Sequence, residues 1–162
     1  MSSTAPVTIK KSGPGLAQLK KDLERISKSE VLVGIPSSSA TRRKGPINNA
    51  ALLFIHSKGS ALKHIPARPV LEPAIAANKA LITPHLGAAA KAVLDKDSMR
   101  AERELKLAGT VAANAAKRWF TDPRNHWAPN APGTIRRKGS DRPLIDTGAL
   151  RRSITSVVRE AS

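Results

Sequence analysis

Residues 143–154 read PLIDTGALRRSI, and the role given to Asp146 in that run decides what kind of molecule the chain is. Two apolar residues ahead of Asp-Thr-Gly are the setting of an aspartic-protease carboxylate. That chemistry needs two carboxylates close enough to share one proton, because both cannot ionise side by side. A chain with one such tripeptide must borrow the second from a copy of itself, and most of a β-barrel must follow. Here only fourteen residues follow Gly148, and helical patterns precede it. The plainer reading is a corner in the fold. Asp146 or Thr147 accepts a hydrogen bond from a backbone N–H two or three residues on and caps one helical turn over 148–152. Gly148 lets the chain swing, and Leu150 points inward. Such a cap is worth about 1 kcal/mol.

The corner feeds SITSVVRE (153–160), read as a closing strand with Ile154 and Val157 or Val158 inward. Its natural partner is EVLVGIP (30–36), β-branched and stopped by Pro36. Helical patterns surround this pair. GPGLAQLKKDLERISKSE (13–30) spaces Leu16, Leu19, Leu23 and Ile26 as one amphipathic stripe. INNAALLFIHSKGS (47–60) reads as a helix with Ala51, Leu52 and Ile55 on its apolar side and Gly59 as its stop. In HIPARPVLEPAIAANKALI (64–82), Pro66 and Pro69 fix an extended approach and Pro73 suits a first helical turn. Leu71, Ile75, Asn78, Ile82, His85 or Leu86, Ala89 and Val93 carry a stripe to Leu94, and Pro84 is expected to kink or split it.

SMRAERELKLAGTVAANAAKRWF (98–120) is the clearest helix. Ser98 is its expected cap, Glu102 and Glu104 sit early and Lys117 and Arg118 late, matching the dipole. Ala101, Leu105, Ala108, Ala112, Ala115 and Trp119 form a face that permits close helix contact. The stretches 36–49 and 122–143 read as basic loops that order on assembly. The whole is an α+β fold: a small antiparallel sheet flanked by helices, with long basic loops. Residues 1–29 form an extension with an amphipathic helix, and 30–162 one domain.

The net charge of +16 predicts an acidic counterpart: nucleic acid, an anionic surface or an acidic protein. Aromatics make up only 2% of the chain, too few to stack successive bases, which weakens a sequence-reading role in nucleic-acid binding. With no cysteine there is no disulfide, thiolate metal site or thiol nucleophile. The opening MSSTAPVTIKKSG lacks a secretory apolar run, and no apolar stretch is long enough to cross a bilayer, so a cytoplasm-like compartment and no membrane partner are expected. His56, His64, His85 and His126 lack metal-ligand spacing, KSGPGLAQLKK is no phosphate loop, and Ser38 and Ser153 have no visible base. No catalytic, cofactor-binding or metal residue is expected. Arg68, held between prolines, presents a guanidinium suited to a partner's carboxylate. Arg151 and Arg152 on the corner are similar interface candidates.

Taken in order, VLVGIP, HIPARPVLEPAI, the Ala-rich helix ending in Trp-Phe, and TIRRKGSDRPLIDTGALRRSITSVVRE resemble the tail-component or tail-completion (neck) proteins of long-tailed bacteriophages. The resemblance runs from about residue 30 to the end, with Val70 where that family usually has an aromatic. It implies a non-enzymatic virion subunit in a hexameric ring, joining head-completion or connector proteins to a tail terminator or tail tube. DNA would pass through the lumen without sequence-specific contacts, and assembly would occur in the host cytoplasm. The tail terminator itself is the near alternative, and a basic nucleic-acid-binding accessory protein a more distant one. The fold-defining residues would be Pro66, Pro69, Asp146, Thr147, Gly148 and Leu150, and the candidate contacts Arg68, Arg136, Arg137, Lys138, Arg151 and Arg152.

Overall fold

The computed structural model describes residues 14–41 and 46–160. Arg42, Arg43, Lys44 and Gly45, inside the first of the two expected basic loops, lie outside the described residues. Seven helices and two strands follow in the order α1 (Pro14–Ser27), β1 (Ser29–Gly34), α2 (Asn49–Lys58), α3 (Leu71–Ala77), α4 (Lys79–Leu94), α5 (Ser98–Trp119), α6 (Pro132–Lys138), α7 (Ala149–Ser153) and β2 (Thr155–Glu160). The fold is α+β, as its periodicities indicate.

The two strands pair antiparallel, Ser29 opposite Glu160 through Gly34 opposite Thr155. The pleat turns Val31, Val33, Ser156 and Val158 to one face and Leu32 and Val157 to the other, where both remain exposed. A two-stranded sheet is marginal alone and needs a helix against it. That helix is α5, which crosses the inner face. The approach is very close at Gly109, where a Cβ would come within 2.7 Å of Ser156 Oγ and 3.0 Å of Val31 Cγ1.

The Ala-rich face of α5 does what small side chains allow. Ala108 and Ala112 pack with Ile82 of α4, while Ala113, Ala116 and Trp119 join Leu53, Val70, Ala74, Leu150 and Ile154 in the main core. Val70 and Ile154 are the largest fully buried side chains. His85 of α4 and Glu104 of α5 lie 2.8 Å apart, a polar tie between the two longest helices. Helix α1 leans on Ala92, Val93 and Ala101 through Leu19 and Ile26, but Leu16 and Leu23 of the expected stripe stay exposed.

Several expectations are corrected. The stripe of 71–94 divides at Asn78, not Pro84: Asn78 Nδ2 donates to Ala74 O at 2.8 Å, and α4 runs through Pro84 to Leu94. The Asn78 amide competes with the backbone ladder at the break, whereas Pro84 sits inside α4 without dividing it. Asp97, not Ser98, caps α5, accepting from Arg100 N at 2.8 Å. In α2 the buried apolar residue is Leu53, with Leu52 of the expected apolar side packed partly buried against the same core, and Ala51 is exposed. Asn48 caps α2 by accepting from Ala51 N, and Gly59 ends it at φ 71°.

These contacts set a paired test by urea unfolding. Gly109→Val is expected to cost about 1–3 kcal/mol, because the new side chain overpacks the helix–sheet seam. Gly87→Ala in α4, where nothing lies within 4 Å of the added carbon, is expected to stabilise by about 0.5–1 kcal/mol.

Candidate functional site: a basic groove at the C-terminal corner

The segment that carries Arg68 is bracketed by prolines, so its backbone cannot join a ladder and its carbonyls and those it faces need other donors. Arg68 supplies them. Its side chain is buried, and Nε and Nη2 donate to Ala128 O at 3.1 and 2.8 Å, with Nη2 also donating to Pro129 O at 3.0 Å. Arg68 N donates to His56 O at 2.7 Å, tying the same residue to the end of α2. Next to it, Trp127 Nε1 donates to Pro69 O at 3.1 Å, and the Trp127 ring meets Phe120 edge-on at 5.9 Å. The expectation that Arg68 offers its fork to a partner's carboxylate is therefore corrected in part: Nε and Nη2 are committed to the chain's own carbonyls. Burial pulls the guanidinium pKa down.

This clamp also corrects the reading of 122–143 as a loop awaiting assembly. Asp122 caps a short 3-10 turn and bonds Arg124 through both carboxylate oxygens, at 2.9 and 2.6 Å. Asn130 is buried and donates to Asp141 O at 2.9 Å, and Pro132–Lys138 form α6, closed by Gly139 at φ 67°.

At the Asp-Thr-Gly corner the helical turn is present as α7, but its N-cap is Gly148, which has no side-chain cap, so the expected cap is replaced by a two-residue Thr147 contact. Thr147 Oγ1 accepts from Ala149 N at 3.3 Å, Gly148 adopts φ 75°, and Leu150 is buried. The positive φ of Gly148 is what favours glycine, since a Cβ there would meet only the movable end of Arg152, Nη1 at 2.9 Å. Asp146 is exposed and caps nothing; its charge acts instead on Lys138 of α6. Ser153 Oγ donates to Ala149 O and accepts from the buried Asn49 Nδ2 at 2.8 Å, which fastens α7 to α2.

Between these parts lies an open groove of about 870 Å³. Pro66, Arg68, Arg137, Lys138, Asp146 and Gly148 all line it, although they come from two distant segments of the chain. Thr147 and Leu150 complete its corner wall. Arg136, Arg151, Arg152 and Pro69 do not reach it. Lys63, His64 and Asn49 do, and spacing alone gave no sign of them. His64 sits there in the left-handed region at φ 51°, as does Leu144 at φ 57°. The groove is basic: Lys138 has its pKa lowered first by burial and also by the Arg68 charge, with Asp146 and Asp141 acting the other way. Lys138 Nζ donates to Arg142 O at 2.7 Å.

Among the described residues, no group of three or more His, Asp or Glu is placed to hold a metal ion, and no helix is long and apolar enough to cross a membrane. No family model, curated protein or solved structure matches the chain.

Two measurements check this geometry. Arg68→Met removes the three hydrogen bonds that the buried side chain makes to Ala128 O and Pro129 O and is expected to cost about 1–3 kcal/mol in chemical denaturation. Arg68→Lys should recover only a small part, because an ammonium cannot span both carbonyls as a planar fork does. The second concerns acid. The Arg124 side chain, then its backbone N–H, hold the Asp122 carboxyl at about 2 against an ordinary 3.8. A depressed folded pKa means that the stabilisation is complete above 3.8 and disappears as pH falls through about 2. Carboxyl NMR titration should place the Asp122 midpoint near that lower value, and Asp122→Asn should flatten the acid limb of the stability curve there.

Proposed function

We propose that this chain is a structural subunit of a phage neck, assembling as a ring between the head connector and the tail terminator or tail tube. The observation that carries the reading is the unfinished sheet. Among the described residues β1 and β2 have no third strand, so both outer edges present unpaired backbone groups. The outer face carries Leu32 and Val157 with about two-fifths of each exposed. An edge with free N–H and C=O groups is a template for another strand. Pairing the β1 edge of one copy with the β2 edge of the next is a head-to-tail contact, and such contacts generate rings when the rotation closes. The resemblance of 30–162 to tail-completion proteins supplies the hexamer, the virion location and the neck partners, with DNA in the lumen.

The roles of the motif residues also favour building material over catalysis. Thr147, Gly148 and Leu150 shape a corner, and the charge of Asp146 acts on the Lys138 ammonium.

A net charge of +16 favours a second reading, a nucleic-acid-binding accessory protein whose affinity falls steeply with salt. Micrographs of particles assembled without the chain separate the two. Heads and tails that accumulate unjoined support the neck subunit, whereas intact infectious particles overturn it.

A further inference from the structure

The groove at the corner has a charge balance that the chain does not resolve by itself. Arg68 is buried, and among the described residues no carboxylate lies in salt-bridge range of it. Its partners are neutral carbonyls bound through Nε and Nη2, and Nη1 donates to none of the described residues. Lys138 adds a second, half-buried cation on the same wall, while Lys63 and Arg137 stand exposed at the rim. A buried charge without a counter-ion is costly, and the cost falls when an anion arrives. Among the described residues, Asp146 is the one acidic side chain lining the groove, set against two lysines, two arginines and two histidines.

We propose that this groove receives a carboxylate-bearing extended segment of a partner protein, its acidic side chains meeting Arg68, Lys138, Lys63 and Arg137. The lining selects among anions. Leu52, Ile65, Pro66 and Leu144 give it apolar patches suited to a peptide. Among the described residues no Phe, Tyr or Trp lines it, and its aromatic rings are the imidazoles of His56 and His64, a small platform for the bases of single-stranded nucleic acid. Asp146 can accept hydrogen bonds from the backbone N–H groups of a peptide, donors that a phosphate chain lacks. Arg68 has Nη1 left for a carboxylate, while the exposed Arg137 keeps its whole guanidinium fork for one. The inference rests on the neck reading only for the origin of the segment; the groove's chemistry stands apart from whether a ring forms.

The experiment uses the full chain and a fluorescein-labelled peptide repeating glutamate, alanine and proline, read by fluorescence anisotropy at physiological salt. Lys63 and Arg137 are exposed and their side chains bond none of the described residues, so Lys63→Ala with Arg137→Ala leaves the fold intact. That pair should weaken peptide binding about tenfold, and Lys79→Ala with Lys91→Ala, which removes equal charge from α4, less than about twofold. Equal losses from both pairs would reduce the attraction to net charge and overturn the proposal. So would a groove-specific loss seen with oligothymidylate but not with the peptide. Loss of self-association on sedimentation in the groove pair, with peptide binding unchanged, would give the groove to a second copy and overturn it too. A failure of head–tail joining without the chain tests the neck reading separately, because neither result is needed for the other.

Discussion

The Arg68 guanidinium binds together parts of the chain that no regular structure joins. Residues 64–70 and 122–131 are rich in proline, which donates nothing and cannot enter a ladder. A planar fork reaching Ala128 and Pro129, from a residue whose own N–H donates to His56 O, ties three stretches of chain at one point. The tie has a physical cost, since a charge is taken out of water without a carboxylate to meet it. The groove beside it inherits that charge, so the element that holds the corner together also gives the corner its electrostatic character.

The remainder of the core is thin by design of composition. Helix α5 presents mostly alanine to α4 and to the sheet, and Gly109 lies directly under Ser156 and Val31. Close backbone approach replaces bulk here: many short-range contacts stand in for a few large side chains. Tolerance is correspondingly low at the seam and high on the outer face of α4, where Gly87 has empty space around it.

What could be read in the sequence divides along the range of the interactions involved. The strand pair, the long helix α5 and the stop at Gly59 follow from local periodicity and capping chemistry, and all are present. Ile154 pointing inward and Gly148 as a swivel follow from the same local rules. The misses are cases where a local rule met a competitor. Pro84 lost to the Asn78 amide as a helix breaker, and Ser98 lost the capping position to its neighbour Asp97. The stretch 122–143 looked like an open loop because its order depends on Arg68, sixty residues earlier in the chain. The groove was hidden for the same reason. Its walls come from α2, α6, α7 and the Arg68 segment, and only tertiary folding brings Lys63, His64 and Asn49 beside Lys138.

The pairing of Gly34 with Thr155 and Ser29 with Glu160 has a kinetic side. As the polypeptide leaves the ribosome, β1 emerges early and then waits for nearly everything else before its complement exists. Helical segments with mostly neighbouring contacts collapse first in such a topology, and the distant ladder closes last. Until then the cell holds a chain whose early β-segment is uncovered, a species that chaperones recognise and that self-adheres at high expression. The topology thus puts the β1–β2 ladder beneath α5 among the last contacts to close.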